Sequence, residues 1–475
     1  MGWMRRTKIV ATVGPAVAGP ARLEKLIRAG ADCLRFNLSH GTALEHVRAM
    51  AQARAAARRT GRTAALLADL CGPKIRTGGA PEKGVLLERG SRLEIVPGSI
   101  ESTPESVGVT YPRLAQEVRR GQRILLADGR MELRVEGTRG RSILAKVVRG
   151  GALGGRKGVN LPDTKLSTPA LTAKDRADLK AMAKAMPDYV ALSFVRTAED
   201  LRACRKAMDA AGLKAAGLIG KLEKPEALDN LESIVRACDG IMVARGDLGV
   251  EMPAERVPAA QRAMTEAAAR SDRLCIVATE MLESMIESPR PTRAEVSDVA
   301  CAVRDCADAV MLSAETSKGR YPFEAVKTMA RVLEAAEAEQ ARSGRLCEPP
   351  CGASEGGIAD ALALAAKLVS QKVGETVLAA ATESGGTALF LSKSRPVSPI
   401  LGLSPTEAAL RRMALYWGVL PVRIPRFQDH VRLLDEAGRC ARRFLGAKPG
   451  GFVVILSGTP LGQSGSTNTL HLRRL

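Results

Sequence analysis

A chain of 475 residues, 45% hydrophobic but only 3% aromatic, is long enough for roughly two to four domains and must build its cores from Ala, Val, Leu, Ile and Met. No run approaches the ~20 apolar residues that span a bilayer, which excludes a transmembrane reading. The net charge of +20 is spread along the whole chain and interleaved with acids, and aromatics for base stacking are nearly absent. That pattern fits solvated faces and a basic site for anionic metabolites better than a nucleic-acid partner.

The start of the chain imitates a secretory leader, with Arg5-Arg6 before an apolar run. Gly14-Pro15 interrupts that run, however, and Lys8–Val13 is needed as a strand, so no leader is expected. The ten cysteines are scattered, and the C-x3-C pair Cys347 and Cys351 has no companion pair or His cluster. Neither a zinc site nor a disulfide framework is expected, and a reducing, cytoplasmic setting fits.

In chain order the strand-like runs are Lys8–Val13, Cys33–Phe36, Ala64–Ala68, Tyr189–Leu192, Ala216–Gly220, Gly240–Ala244, Cys275–Ala278 and Ala309–Leu312. Helical patterns separate most of them, among them Ala21–Ala29, Leu44–Arg59, Ala173–Ala185, Ala198–Ala211 and Val257–Arg270. Eight strand–helix alternations predict an α/β (β/α)8 barrel over 1–77 and 167–342. Between the third and fourth strands, residues 78–166 carry short β-type runs such as Arg92–Val96, Arg123–Ala127, Glu132–Glu136 and Ile143–Val148, punctuated by Pro97-Gly98, Asp128-Gly129 and Gly150-Gly151. They predict a small antiparallel β-barrel inserted as a lid over the mouth. After a break rich in Gly, Pro, Cys and Ser at Ser343–Gly357, residues 343–475 predict an α/β domain with a mostly parallel sheet, its strands near Thr376–Ala380, Ile400–Gly402 and Val453–Leu456. No internal repeat is evident.

Most of the barrel runs stop abruptly at polar residues: Arg35, Asn37 and Ser39; Asp69; Ser193; Lys221 and Glu223; Asp247; Thr279; Ser313. Strand ends of this kind are where α/β folds put their chemistry. Lys221 and Glu223 project to one side of a strand because side chains alternate with period two. Glu223 and Asp247 could then give two hard oxygens to Mg2+, with Mn2+ as the alternative, and Lys221 a point charge for a phosphoryl group. An ordinary strand-end salt bridge explains the same residues equally well. The turn Arg245-Gly246-Asp247-Leu248-Gly249 is by itself a weak anion signal. Neither a Walker loop, a Rossmann fingerprint nor a serine nucleophile elbow is present, and His40, His46, His430 and His471 are too scattered for a zinc hydrolase.

The motifs TKIVATVGPA (7–16), RFNLSHG (35–41), DLCGPKIRTG (69–78), GRKGVNLP (155–162), GKLEKPEAL (220–228), GIMVARGDLG (240–249), ATEMLESMIESPRPTRAEVSDVA (278–300) and MLSAETSKGRYP (311–322) follow one another as in a known family. Nearly end to end, the chain resembles the pyruvate kinases. The resemblance implies transfer of the phosphoryl group of phosphoenolpyruvate to ADP, giving pyruvate and ATP. It further implies Mg2+ on Glu223 and Asp247, Lys221 against the moving phosphoryl group, and the Gly246 and Asp247 amides on the substrate carboxylate. Arg35 and Arg76 would contact phosphate or nucleotide, Thr279 would serve the proton relay, and His40, Lys157 and the lid residue Asp128 would lie near the nucleotide. A homotetramer is implied as well. Two other readings are a catalytically reduced, metabolite-sensing relative and a phosphoenolpyruvate/pyruvate-type lyase on a similar barrel.

Some positions depart from the family pattern. Potassium-dependent members carry Thr after the Asp and Glu before Ile-Arg, where this chain has Leu70 and Lys74. Asn37, Ser39 and Asp69 could still surround a monovalent cation, but the fixed charge of Lys74 can supply the field of K+, so no K+ requirement is expected. Ala127 and Glu280 also depart, without an assigned consequence. In the C-terminal part, TESGGTALFLS (382–392) and GQSGSTNTL (462–470) resemble the pieces of the family's effector-phosphate pocket. There Thr382, Ser384 and Thr387 hydroxyls with Gly385 and Gly386 amides make a phosphate cradle or a plain Ser/Gly turn, and Glu383 inside the loop points to a monophosphate effector or none.

Overall fold

The computed structural model describes residues 5–343, 357–463 and 465–475. Most of the break expected at Ser343–Gly357, the Cys347/Cys351 pair and the first four residues lie outside them. Eight parallel strands close into a barrel: β1 (Lys8–Thr12), β2 (Cys33–Asn37), β3 (Ala65–Asp69), β4 (Tyr189–Leu192), β5 (Gly217–Leu222), β6 (Gly240–Ala244), β7 (Leu274–Ala278) and β8 (Ala309–Leu312). All eight expected strands form. The one material change of boundary is β5, which continues two residues past Gly220 because Lys221 and Leu222 still pair with Met242 and Val243 of β6. Charge does not end a strand whose backbone ladder is intact.

The strands are buried on both faces, and alternate residues serve two different cores. Ile9, Leu34, Leu66, Val190, Leu218, Ile241, Val277 and Val310 pack outward against the surrounding helices. Their neighbours Val10, Cys33, Leu67, Tyr189, Ile219, Met242, Ile276 and Met311 fill the barrel, and that filling continues into Leu410, Met413 and Tyr416 below it. The barrel interior and the C-terminal sheet domain therefore share one core.

That junction is organised by four aspartates, each immediately before an even-numbered strand. Asp32, Asp188, Asp239 and Asp308 accept the backbone N–H of Ile9, Leu66, Leu218 and Cys275 in the preceding odd strand, at 2.7–2.8 Å. Each also meets cations: Arg5 at Asp32, Arg54 and Arg411 at Asp188, Arg205 and Arg412 at Asp239, Lys393 and Arg395 at Asp308. The Arg411, Arg412, Lys393 and Arg395 side chains come from the C-terminal domain. The repeat of four was not read from the sequence, where single Asp residues look like turn formers. Removing one buried carboxylate should leave cations uncompensated, at about 3–5 kcal/mol. Asp188→Ala is therefore expected to lower the calorimetric midpoint by roughly 3–10 °C, and an unchanged midpoint would dismiss the ring as a stabilising device.

Between β3 and β4, strands Arg92–Pro97, Ser106–Val109, Arg123–Leu126, Met131–Arg139, Ser142–Arg149 and Val159–Asn160 form a six-stranded sheet, antiparallel except where Arg92–Pro97 and Ser106–Val109 run parallel. It has its own core around Ile95, Ile124, Leu133 and Val147. After the barrel, β9 (Thr376–Ala381), β10 (Ile400–Ser404), β11 (Val419–Arg423), β12 (Phe452–Gly458) and β13 (Thr467–Arg474) lie in the order β11-β10-β9-β12-β13, with only β13 antiparallel. β11 and β13 were not expected. Pro421 and Arg423 in β11, and the half-exposed polar run of β13, lack the apolar signature of the three strands that were. Cys306 is disulfide-bonded, whereas Cys33, Cys71, Cys204, Cys238, Cys275, Cys301 and Cys440 are free thiols.

Candidate active site

Two residues beyond the apolar filling, the inward-facing positions turn polar. Val10 leads to Thr12, Cys33 to Arg35, Leu67 to Asp69, Ala191 to Ser193 and Ile219 to Lys221. The five side chains join into one network across the barrel's top layer. Arg35 donates through Nε to Asp69 Oδ2 at 2.7 Å and through Nη1 to Thr12 Oγ1 at 3.0 Å. Lys221 Nζ donates to Ser193 Oγ at 2.8 Å and lies 2.8 Å from Glu223 Oε1. It is also 3.3 Å from Asp69 Oδ1, an oxygen without hydrogen-bond geometry to any partner, so that contact is an ion pair only. Thr12 was missed in the sequence, although counting by twos from Val10 would have found it.

Burial alone would lower the Lys221 pKa, but Asp69 and then Glu223 reverse the effect and hold it above the ordinary lysine value. At Asp69 burial opposes ionisation, yet Lys221 and Arg35 together keep the carboxyl below its usual range. Glu223 goes the other way: burial raises it, Lys221 offsets part of that, and Asp247 adds repulsion. The salt bridge allowed for in the sequence does exist, but as part of a buried cluster of two cations and two carboxylates. Buried groups pushed in opposite directions are a signature of functional sites.

Glu223 Oε2 accepts from the Phe194 amide at 2.9 Å, so each of its oxygens has one partner and a remaining lone pair. Asp247 is exposed at the mouth, in the short helix Arg245–Glu251 that follows β6. Two carboxylates of this kind fit Mg2+ or Mn2+. Among the described residues no group of three or more His, Cys, Asp or Glu makes a complete cage, so such an ion would draw its other ligands from substrate and water.

The Gly246 amide, expected to face a carboxylate, already donates to Thr279 Oγ1 at 2.7 Å. Thr279 itself has φ 69° and Glu280 φ 53°, consecutive left-handed residues at the end of β7. Positive φ is uncommon for any non-glycine residue and a genuine outlier for a β-branched one. Strain of this sort gathers at functional sites.

Above the network, between barrel and lid, lies a cleft of about 590 Å3. His40, Lys74, Arg76, Lys157 and Asp128 line it, as do Asp247 and the unforeseen Arg156, Arg196, Lys224 and Lys318. The cleft thus gathers most of the residues expected near a nucleotide, with cations in excess. Partial burial, then the charges of Lys74, Arg76 and Arg35, lowers the His40 pKa, so the imidazole is neutral at physiological pH. The lid is tied down at this point: Asn160 Nδ2 and Lys224 Nζ both donate to Glu251 Oε1, at 2.9 and 2.6 Å.

Arg35 points at Asp69 in the top layer, apart from the cleft wall. Asn37 lies opposite Asp69 in the β2–β3 ladder, and its Oδ1 accepts the Ser39 amide at 3.2 Å. Lys74 is exposed on the cleft, and among the described residues no ion pair joins it to Asp69. Around this group Arg35 and Lys221 meet Asp69, and Lys174 donates to the Leu38 carbonyl at 2.8 Å. In the C-terminal domain Thr382 Oγ1 accepts the Gly385 amide at 3.0 Å, and Thr387 shares a 2.6 Å hydrogen bond with Thr467. Gly385, at φ 98°, turns the chain into the helix Gly386–Lys393. Thr382, Thr387 and Thr467 line a cavity of about 60 Å3, as do Glu383 and Arg426, which form a 3.0 Å ion pair.

A (β/α)8 barrel with a buried Lys–carboxylate cluster at its mouth, under a basic lid cleft, defines an enzyme that handles a small, highly anionic substrate. Residues 4–326 match the family model "Pyruvate kinase, barrel domain", and residues 360–472 match "Pyruvate kinase, alpha/beta domain". The chain is 42% identical over 471 residues to a pyruvate kinase of Geobacillus stearothermophilus, covering 98% of this chain and 80% of that one. It is 40% identical to those of Corynebacterium glutamicum and Mycobacterium tuberculosis, covering 99% of this chain and 98% of each relative. The chain belongs to the pyruvate kinase family and is a phosphotransferase.

Proposed function

We propose that the enzyme moves the phosphoryl group of phosphoenolpyruvate to ADP and protonates the resulting enolate to pyruvate. The buried cluster of Lys221 with Asp69, Glu223 and Ser193 carries this reading. Transferring a phosphoryl group spreads negative charge over its oxygens, and a preorganised ammonium in a low-dielectric site stabilises that charge without reorganising. Lys221 stays charged because Asp69 and Glu223 hold its pKa up, so it meets the phosphoryl group and the developing enolate oxygen as a fixed cation. Arg35, oriented by Asp69 and Thr12, adds a second. Glu223 and Asp247 would hold Mg2+, which when bound neutralises and orients the anionic groups. Thr279, whose hydroxyl donates to the Ala278 carbonyl and, until substrate arrives, accepts from the Gly246 amide, serves proton delivery to the enolate carbon. The Gly246 and Asp247 amides would take the substrate carboxylate once Thr279 yields the Gly246 donor, and His40, Arg76, Lys157 and Asp128 would face ADP.

Exposed Ile358, Leu364 and Leu368 on the helix Gly357–Lys372, with Leu472 on the edge strand β13, support self-association, for which a homotetramer is the family precedent. The Thr382–Thr387 loop supports binding of a small phosphorylated effector, and the setting is cytoplasmic.

A coupled assay with phosphoenolpyruvate, ADP and Mg2+ tests the reaction, and its silence would sink it. The same assay in tetramethylammonium buffer tests the monovalent cation. Full turnover is expected without K+, since Lys74, with the other cleft cations, supplies positive potential across the cleft. Strong activation by added KCl would refute this.

A further inference from the structure

Arg245 has no part in the phosphoryl-transfer chemistry above, yet it is buried beside it. The β6–β7 ladder ends with Ala244 opposite Ala278. One residue later the backbones no longer pair, and the Arg245 side chain takes the ladder's place. Its Nη2 donates to the Thr279 carbonyl at 2.8 Å and the Glu280 carbonyl at 3.1 Å, and its Nε reaches Thr279 O at 3.3 Å. On the other side Nη1 donates to Asp298 at 2.6 Å and Gln261 Oε1 at 3.4 Å. The two carbonyls so gripped belong to the two consecutive left-handed residues, at φ 69° and 53°. Gly246, the next residue along, fixes the same threonine from its other end by donating to Oγ1.

We infer that Arg245 is a positioning residue for the proton-delivery half of the reaction: it enforces the left-handed Thr279-Glu280 turn and thereby aims the Thr279 hydroxyl. A planar guanidinium with five donors on three nitrogens spans two carbonyls on one side and a carboxylate on the other, a spread that the compact ammonium of lysine does not match. Two adjacent non-glycine residues at positive φ persist only where surroundings over-determine them. Without the clamp the turn relaxes and Oγ1 moves off the enolate carbon, while the Lys221 cluster, built on β3 and β5, stays in place. The inference rests on the role given to Thr279.

Proton delivery run backwards exchanges the methyl protons of pyruvate with solvent, which proton NMR follows in D2O with Mg2+ and ATP. Arg245→Met is expected to slow exchange by about 10²-fold, with the KM for ADP within about twofold, and Arg245→Lys to restore only a minor part. Glycine takes positive φ freely, so adding Glu280→Gly to Arg245→Met is expected to regain at least about fivefold. Thr279→Val run in parallel separates the two ideas. Normal exchange in that variant removes Thr279 from proton delivery. Slow exchange there, with exchange in Arg245→Met within about threefold of the parent, overturns the clamp alone. Should Arg245→Met not fold, Asp298→Asn, which loosens the guanidinium, is expected to slow exchange about tenfold, and parent-level exchange overturns the inference equally.

Discussion

Replacing Lys221 by methionine is expected to lower kcat by roughly 10²–10³, about 3–4 kcal/mol, with little change in the KM for phosphoenolpyruvate. The ammonium stabilises charge that develops during transfer, so its loss falls on the transition state more than on the ground state. A second signature follows from the cluster. Asp69 keeps Arg35 after the substitution, but Glu223 loses its one side-chain cation. Its carboxyl, already raised by burial and by Asp247, must rise further. A carboxyl whose folded pKa exceeds its unfolded value stabilises the fold below the unfolded pKa and loses that stabilisation as pH rises through the folded one. The variant should therefore lose more stability than the parent as pH rises above the ordinary carboxyl range, and its activity should fall off at a higher pH on the acid side. Near-normal turnover, or a pH profile superimposable on the parent's, would remove Lys221 from its role.

What the sequence made legible was set by periodicity. The eight barrel strands were readable because each is a short apolar run buried on both faces, and the polar residues that stop most of those runs do face one mouth. Lys221 and Glu223 could be placed on one side by counting in twos, and the same count would have added Thr12. Side-chain reach was not legible. Arg245 reads as a charge beside a glycine turn, but it extends back under β7 to hold Thr279 and Glu280. Lys74 reads as a charge within a cation pocket, but it opens onto the cleft. Nor could the four aspartates under the barrel be recognised, since their partners are backbone amides in the neighbouring strand and cations up to 223 residues away. Long-range pairing of this sort leaves no local pattern.

Glu223→Gln should abolish turnover to within about 10⁻³ of the parent, roughly 4 kcal/mol, and weaken Mn2+ binding at least tenfold, about 1.4 kcal/mol, as read by electron paramagnetic resonance without any substrate. The substitution keeps shape and removes charge, but the local geometry makes it harsher than that. Both carboxylate oxygens face donors, Lys221 Nζ on one side and the Phe194 amide on the other. A glutamine offers an acceptor to only one of them and must turn its NH2 toward the other, leaving a buried donor against a donor. The least costly orientation keeps Oε1 on Lys221 and opposes the Phe194 N–H, which pulls at the β4 end that carries Ser193. Asp247 is exposed at the mouth, so Asp247→Asn removes charge without such a clash. The expected order is therefore a greater thermal destabilisation in Glu223→Gln than in Asp247→Asn, with weakened Mn2+ binding in both. Unchanged Mn2+ affinity in Glu223→Gln would take this carboxylate out of the metal site, whatever happens to the rate.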